Sequence, residues 1–474
     1  MLLLASGCGS AGGDCAAQSY PAVPVGAVGL IHVSGACAAD GADGSPEHPF
    51  ATIGAAVATA GKGDAVLIAP GTYAENVTIN DDLFLIGSSS GVDAGQAQAV
   101  IKAPASLAIV VLGGTKVLIR GLVISQPIGA GINVAKGSVT IEGTRISGAS
   151  PDDLGKFGYG VVASGGSAII LQHSAVIGSA SAGVLVSDSG AIILQNQIDD
   201  NAGGGLRLEH ATGEVTIQGN TLSGNHLHGI GVLSSRAIIL QNTIKDSVAA
   251  VDQGGDGILV SALVGQGGAS LGPASISADG NTVTGAARVG ILCAGEAAGI
   301  ILQNNTVGSC GAVAPFGAGI WLQGGAGADP TSLIKGNQLD QNRFVGLGLS
   351  GDTHGIILQN NTVSGTLLGS TFVGASEVSI GDGLSLSRGA SAAIGGNTFT
   401  GNGRFGAILD GASAAGTSVE NNVFQDNDQY GIILQNQPGM VSLGSNTFMG
   451  NTLGDSADVS AGTYAVQDED FATK

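Results

Sequence analysis

Charge and aromatic rings are scarce in this sequence: 11% of its 474 residues are charged and 4% aromatic, with a single tryptophan. Ordinary globular domains carry about a quarter of their residues as charges. A chain this poor in charge yet 43% hydrophobic is not disordered, because disorder needs the opposite balance. Basic residues are the scarcer sign, 16 Lys+Arg against 36 Asp+Glu for a net charge of −20. That argues against nucleic acid and anionic membrane surfaces as partners, since both bind through basic patches. It fits a soluble surface outside the cytoplasm. No apolar run reaches the ~20 residues of a membrane-spanning helix. No Cys-x-x-Cys pair occurs, and no His/Cys spacing suggests zinc. Glycine, by contrast, is abundant, with 83 residues. Each would cost about 1 kcal/mol inside a helix, and their irregular spacing excludes collagen. What remains is an all-β protein of many short strands and turns.

Near the N-terminus, after Met1-Leu2-Leu3-Leu4, the residues Ala5-Ser6-Gly7-Cys8 resemble a bacterial lipobox, whose cysteine is lipidated. The apolar stretch before it is short for a signal sequence and lacks basic residues. The expectation is a leader and flexible linker over residues 1–29, with lipidation at Cys8 as the only membrane attachment. The location expected is extracytoplasmic, anchored to the bacterial outer membrane or cell surface, or alternatively secreted. The other cysteines, Cys15, Cys37, Cys293 and Cys310, permit two disulfides in an exported protein, Cys15–Cys37 and Cys293–Cys310. Cys293 falls at an inward strand position, so buried free thiols are the rival reading.

Two short patterns alternate along the chain. The first is Gly-apolar-x-apolar, as in Gly131-Ile132-Asn133-Val134, Gly160-Val161-Val162-Ala163, Gly183-Val184-Leu185-Val186 and Gly205-Leu206-Arg207-Leu208. It recurs at Gly229, Gly257, Gly290, Gly319, Gly346, Gly383, Gly406 and Gly431. The second is apolar-x-apolar-x-x-Asn-x-apolar, clearest at Val215-Thr216-Ile217-Gln218-Gly219-Asn220-Thr221-Leu222. Its asparagine recurs as Asn196, Asn220, Asn242, Asn281, Asn305, Asn337, Asn361, Asn397, Asn422 and Asn446. The shortest spacings, Gly160 to Gly183 to Gly205 to Gly229 and Asn220 to Asn242, define a repeat of one β-coil, the mark of a solenoid. Longer intervals, such as Gly346 to Gly383, are a coil plus an inserted loop. The expected architecture has about a dozen coils over residues 30–451, apolar residues pointing into one interior, glycines at corners with unusual dihedrals, and an internal asparagine ladder. The acidic residues 452–474 are expected to cap the last coil or fray. The tetrapeptide Ile-Ile-Leu-Gln, beginning at 169, 192, 238, 300, 356 and 432, does not hold one register and is read as strand propensity.

Before the coils stands Asp43-Gly44-Ser45-Pro46, then Pro49-Phe50-Ala51-Thr52-Ile53, then Gly63-Asp64-Ala65-Val66-Leu67-Ile68-Ala69-Pro70-Gly71-Thr72-Tyr73 and Glu75-Asn76-Val77-Thr78-Ile79. Residues 50–60 read as a short amphipathic helix with Phe50, Ile53 and Val57 on one face. Such a helix, in a cap spanning about 45–62, would cover the open end of a solenoid. This run resembles the start of bacterial right-handed parallel β-helix proteins of the pectin-lyase-like superfamily. The resemblance implies that fold and an extracytoplasmic setting, but the superfamily holds lyases, hydrolases, epimerases and phage tailspikes, so it selects no chemistry.

In such helices catalysis uses outward side chains of one sheet. The outward position of the first strand reads Asn133, Val162, Leu185, Arg207, Gly231, Leu259, Leu292, Trp321, Gly348, Ser385, Ile408 and Ile433. This row lacks the acidic Ca²⁺ ligands of a pectate lyase. A polygalacturonase set is also missing, its nearest pieces being Asp199-Asp200 and His228-Gly229. One polar cluster can be assembled from Arg207, Glu209, His228 and Asp256, with His226, Asp252 and Arg288 nearby. These are the candidates for acid–base work, against a plain solvated ladder of charges. Trp321 is the candidate for stacking on a sugar ring, against packing under the long loops 261–273, 308–316 and 364–381. Asp152, Asp153 and Asp382, with Glu377, are loop carboxylates offered for Ca²⁺; no other cofactor is expected. The function expected is an extracytoplasmic surface β-helix that binds carbohydrate, such as a polysaccharide or cell-surface glycan, or serves as a structural or adhesive module without catalysis. The alternative is a polysaccharide lyase, glycoside hydrolase or sugar epimerase with a non-standard site near residues 207–256.

Overall fold

The computed structural model describes residues 18–37, 41–88, 97–250, 254–265, 269–312, 316–325, 332–373 and 376–467. Each coil contributes three short strands, and like strands of successive coils pair in parallel. One coil reads Leu206–Glu209, Glu214–Gln218 and Thr221–Ser223. The first sheet runs from Val77–Ile79 to Gly454–Val459, the second from Leu30–Val33 to Ser442–Gly444, and the third from Gly71–Tyr73 to Thr447–Met449. The third sheet has 15 strands, more coils than the dozen expected. The extra ones lie before Gly131, where first strands such as Val77–Ile79 and Ile109–Val111 lack the glycine signature. The last strand, Gly454–Val459, likewise lies beyond the expected end at 451.

Alternation within each strand puts every second side chain inside. Ile132, Val134, Val161, Val184, Val186, Leu206 and Leu208 are fully buried in one continuous core. The core is narrow and aliphatic until its C-terminal coils, where Phe399, Phe424 and Phe448 stack at 5.2 and 5.4 Å.

The asparagine ladder forms. Asn220 Oδ1 accepts from the backbone N–H and the Nδ2 of Asn196, both at 2.9 Å, while its own Nδ2 donates to Asn242 Oδ1 and Ile193 O. The same bonds continue to Asn446. A second ladder, not anticipated, lies five residues on. Asn201, Asn225, Cys310, Asn342, Asn402, Asn427 and Asn451 share it, with Asn201 bonded to Asn225 and Asn402 to Asn427. Every ladder residue but Asn446 follows a left-handed corner, filled by Gly219 (φ 66) before Asn220 and by Gln195 (φ 53) before Asn196. The repeat glycines of the first strand serve otherwise. Gly183 has no positive φ, but a Cβ there would lie 2.8 Å from Gly205 O in the next coil. Close approach of coils, not dihedral freedom, selects those glycines.

The Ile-Ile-Leu-Gln segments occupy the second sheet in two registers, with Ile169 and Leu171 inside in one copy and Ile193 inside in the next. The copy at 432 sits in the first sheet. The capping helix spans Ile53–Thr59 and buries Ile53 and Ala56. Thr52 caps it through a bond from Ala55 N–H, and the Glu75 carboxylate accepts from Ile53 and Gly54 N–H at 2.8 Å each. A negative charge at that end suits the helix dipole.

Candidate functional site

The twelve outward residues of the first sheet stand in register from Asn133 through Arg207 and Trp321 to Ile433. The row is open in its first half and closed in its second. Asn133, Leu185, Arg207 and Leu259 are partly exposed, whereas Leu292, Trp321, Ser385, Ile408 and Ile433 have 0% exposure.

Two segments close it. The long interval between Gly346 and Gly383 contains an antiparallel hairpin, Gly369–Val373 against Ser376–Ser387. Its Ile380 joins Phe344, Phe316, Val289, Leu292 and Trp321 in one apolar cluster. After the last strand, the chain turns back over the same face. Tyr464 packs edge-on to Phe405 at 4.8 Å, Gln435 exchanges two hydrogen bonds with the Tyr464 backbone, and Gly317 N–H donates to Gln467 Oε1.

Trp321 is therefore not a sugar platform. Its indole lies over Gly348, where a Cβ would collide with the ring, and its Nε1–H donates to Gln323 Oε1 at 3.0 Å. The loop insertion that marked this flank as functional supplies the residues that cover it.

The acid–base cluster also comes apart. Asp256 and His228 are register neighbours, but Asp256 pairs with Arg288 of the next coil, Nε to Oδ1 at 2.9 Å and Nη2 to Oδ2 at 2.6 Å. Asp256 is fully buried; burial pushes its carboxyl above the ordinary aspartate range, against the pull of Arg288. The His228 ring lies against Gly204 and Gly231, and its Nε2 has no hydrogen-bond partner among the described residues. Burial first, then the Arg207 charge, lowers its pKa to about 3. A base that weak accepts little proton density at neutral pH. Arg207 and Glu209 are partly exposed and ion-paired to each other at 2.5 Å. His226 is partly exposed, and Asp252 lies outside the described residues.

Asp382 is no Ca²⁺ ligand. It is fully buried and held by Arg404, Nε to Oδ1 at 2.7 Å and Nη2 to Oδ2 at 2.5 Å, with Arg404 also donating to Ala465 O. Asp152 Oδ1 is used by its own turn, accepting from Leu154 and Lys156 N–H. Asp153 and Glu377 are exposed. Among the described residues no group of three or more His, Cys, Asp or Glu is arranged to hold a metal ion. Asp199 ends a strand of the third sheet and Asp200 follows it, away from this row.

Cys293 and Cys310 are free, buried thiols, not a disulfide. Cys293 points into the core beside Val260 and Leu322 in register, whereas the Cys310 thiol turns to Gly308 O. Burial pushes both up to about 12. Cys37 is disulfide-bonded; Cys15 and the lipobox Cys8 lie outside the described residues.

The Arg–Asp clamps escaped sequence reading, although a signal exists. Asp256-Gly257 is followed one coil later by Arg288-Val289-Gly290, and Asp382-Gly383 by Arg404-Phe405-Gly406.

Residues 98–249 and 261–363, over half of the chain, match the family described as right handed beta helix region. The chain belongs to the right-handed β-helix family. Residues 370–470 match the family described as periplasmic copper-binding protein (NosD). That stretch has no histidine or cysteine, and its two methionines are Met440 and Met449, with Met440 96% exposed. Copper sites are built from imidazole, thiolate and thioether donors, so these residues do not fit one.

No curated protein matches the chain in sequence. Among solved structures it is similar to the Dettilon tailspike protein, at 16% identity and TM-score 0.45, covering 69% of this chain and 65% of the tailspike. It thus spans about two thirds of the tailspike's length. It is also similar to the periplasmic alginate epimerase AlgG (13% identity, TM-score 0.30, 84% and 78% covered). A third is a PL6 family polysaccharide lyase from Pseudopedobacter saltans (14% identity, TM-score 0.32, 88% and 91% covered).

Proposed function

We propose that this β-helix works outside the cytoplasm as a binding or structural surface module without acid–base catalysis. The observation that carries the reading is the two-point ion pair between Asp256 and Arg288. It takes the only carboxylate next to His228 in register out of play, while burial keeps His228 neutral. The disulfide at Cys37 supports an oxidising compartment, as does the match to a family described as periplasmic. Lipid attachment through Cys8 is part of the same reading.

The ligand proposed is a polysaccharide or cell-surface glycan, taken on the open half of the first sheet. There Leu185 offers an apolar floor and the partly exposed Arg207–Glu209 pair offers charged hydrogen-bonding groups. That same pair is the sole footing for the alternative, a lyase, hydrolase or epimerase. Glycan-array binding that falls in an Arg207→Ala/Glu209→Ala double variant supports the proposal. A chain that binds no glycan overturns the carbohydrate part and leaves the structural role.

A further inference from the structure

The outward face of the second sheet carries an apolar row that the proposed function does not use. Phe84, Leu118, Thr140, Ile170, Ile192, Thr216 and Ile238 follow one another in register on seven adjacent strands. Ile192 is 41% exposed. From Phe84 to Ile192 the row, with its flanking residues, lines an open trough of about 720 Å³. Along one flank Ser138, Ala168 and Gly190 stand in register, with Lys116 just before the paired Val117 at one end and Glu214 two residues before the paired Thr216 at the other. Its two charged members are exposed, neither is ion-paired among the described residues, and each stands two strands from Ala168, on opposite sides.

We infer that this trough is the interface of a two-fold dimer, its occupant a second copy of the chain. A two-fold axis parallel to the strands, above Ile170, keeps the position along each strand and reverses the order of coils. It therefore sets Lys116 of each copy against Glu214 of the other, making two ion pairs. It also sets Thr140 against Ile192, Leu118 against Thr216, Phe84 against Ile238, and Ile170 against itself. Thr140 and Thr216 each face a larger residue, and Ser138, Ala168 and Gly190 leave room for close approach. Isologous contacts require such self-complementarity, and aligned sheets stack face to face in this way.

The area is adequate. Seven strands at ~4.8 Å and three outward rows at ~7 Å give on the order of 700 Å² per copy, near the ~800 Å² of a standard interface.

Sedimentation velocity of the full chain over a concentration series tests the inference. The wild type should show a monomer–dimer equilibrium. Glu214→Lys, which sets two lysines face to face, and Ile170→Asp should each weaken it by about tenfold or more. The swapped variant Lys116→Glu/Glu214→Lys should restore the dimer, which no merely destabilised protein would do. All of these positions lie on the surface, and circular dichroism verifies that the fold persists. A wild type that stays monomeric overturns the inference, including one that instead takes a glycan or a different protein on this face. So does a dimer indifferent to Glu214→Lys, or a swapped variant no better than the single one.

Discussion

Arg288 reaches back one coil to grip both carboxylate oxygens of Asp256, and Arg404 repeats the grip on Asp382. Both pairs are shut away from water, so each partner depends on the other. Breaking a buried pair from one side leaves an uncompensated charge and costs about 3–5 kcal/mol, whereas replacing both partners with apolar residues is close to neutral. Arg288→Met alone should therefore destabilise by about that much, and Arg288→Met/Asp256→Leu should recover most of the loss. Denaturant unfolding monitored by circular dichroism checks both.

His228 makes stability depend on pH. Its pKa is about 6.5 when unfolded and about 3 in the fold. Between those values the unfolded chain binds the extra proton, so acid favours unfolding. Stability contributed by the neutral ring is complete above pH ~6.5 and falls by about 1.4 kcal/mol per unit as pH drops toward 3. The difference in unfolding free energy between wild type and His228→Gln, measured at several pH values, should carry this slope. A difference constant across the window would contradict the assignment.

The ladders predict a gradient along the solenoid. Asn305 is fully buried and makes bonds to Asn281, Asn337 and Ala278 O. Asn305→Ala orphans those groups and should cost about 1–3 kcal/mol. Asn446, at the half-buried end, should cost less when truncated. Unfolding rates of the two variants give the comparison.

The thiols of Cys293 and Cys310 should resist alkylation in the native protein and react after denaturation, because only thiolate reacts and burial suppresses it. Mass spectrometry after iodoacetamide treatment reads this directly. A native Cys293–Cys310 disulfide would instead leave both Cys293 and Cys310 unlabelled in the denatured, unreduced chain, beside the disulfide-bonded Cys37.

Much of the fold was legible in the sequence because a solenoid writes its geometry locally. Alternation within Gly205-Leu206-Arg207-Leu208 specifies which side chains face out, and the shared period of Asn220 and Asn242 specifies which stack. The whole outward row from Asn133 to Ile433 followed from those two facts. The second ladder was hidden because Asn225 and Asn342 share it with the unlike Cys310. The fate of the row was hidden for another reason. Whether Trp321 faces water depends on the hairpin at 369–387 and on residues near Gln467, whose side chain meets Gly317 across 150 positions. No local pattern reports a cover that distant. Spacing places Asp256 beside His228, its register neighbour, but does not report that the Arg288 side chain spans a coil to claim that carboxylate.

Turnover is the measurement that bears most directly on the proposal that the first sheet carries no acid–base catalysis. Purified protein, with and without Ca²⁺, should be incubated with uronate-rich and neutral polysaccharides and assayed for unsaturated products, reducing ends and epimerised sugars. The account predicts no turnover with any of them. Turnover that disappears in Glu209→Gln while the fold is intact would contradict it and assign the chemistry to the Arg207–Glu209 pair.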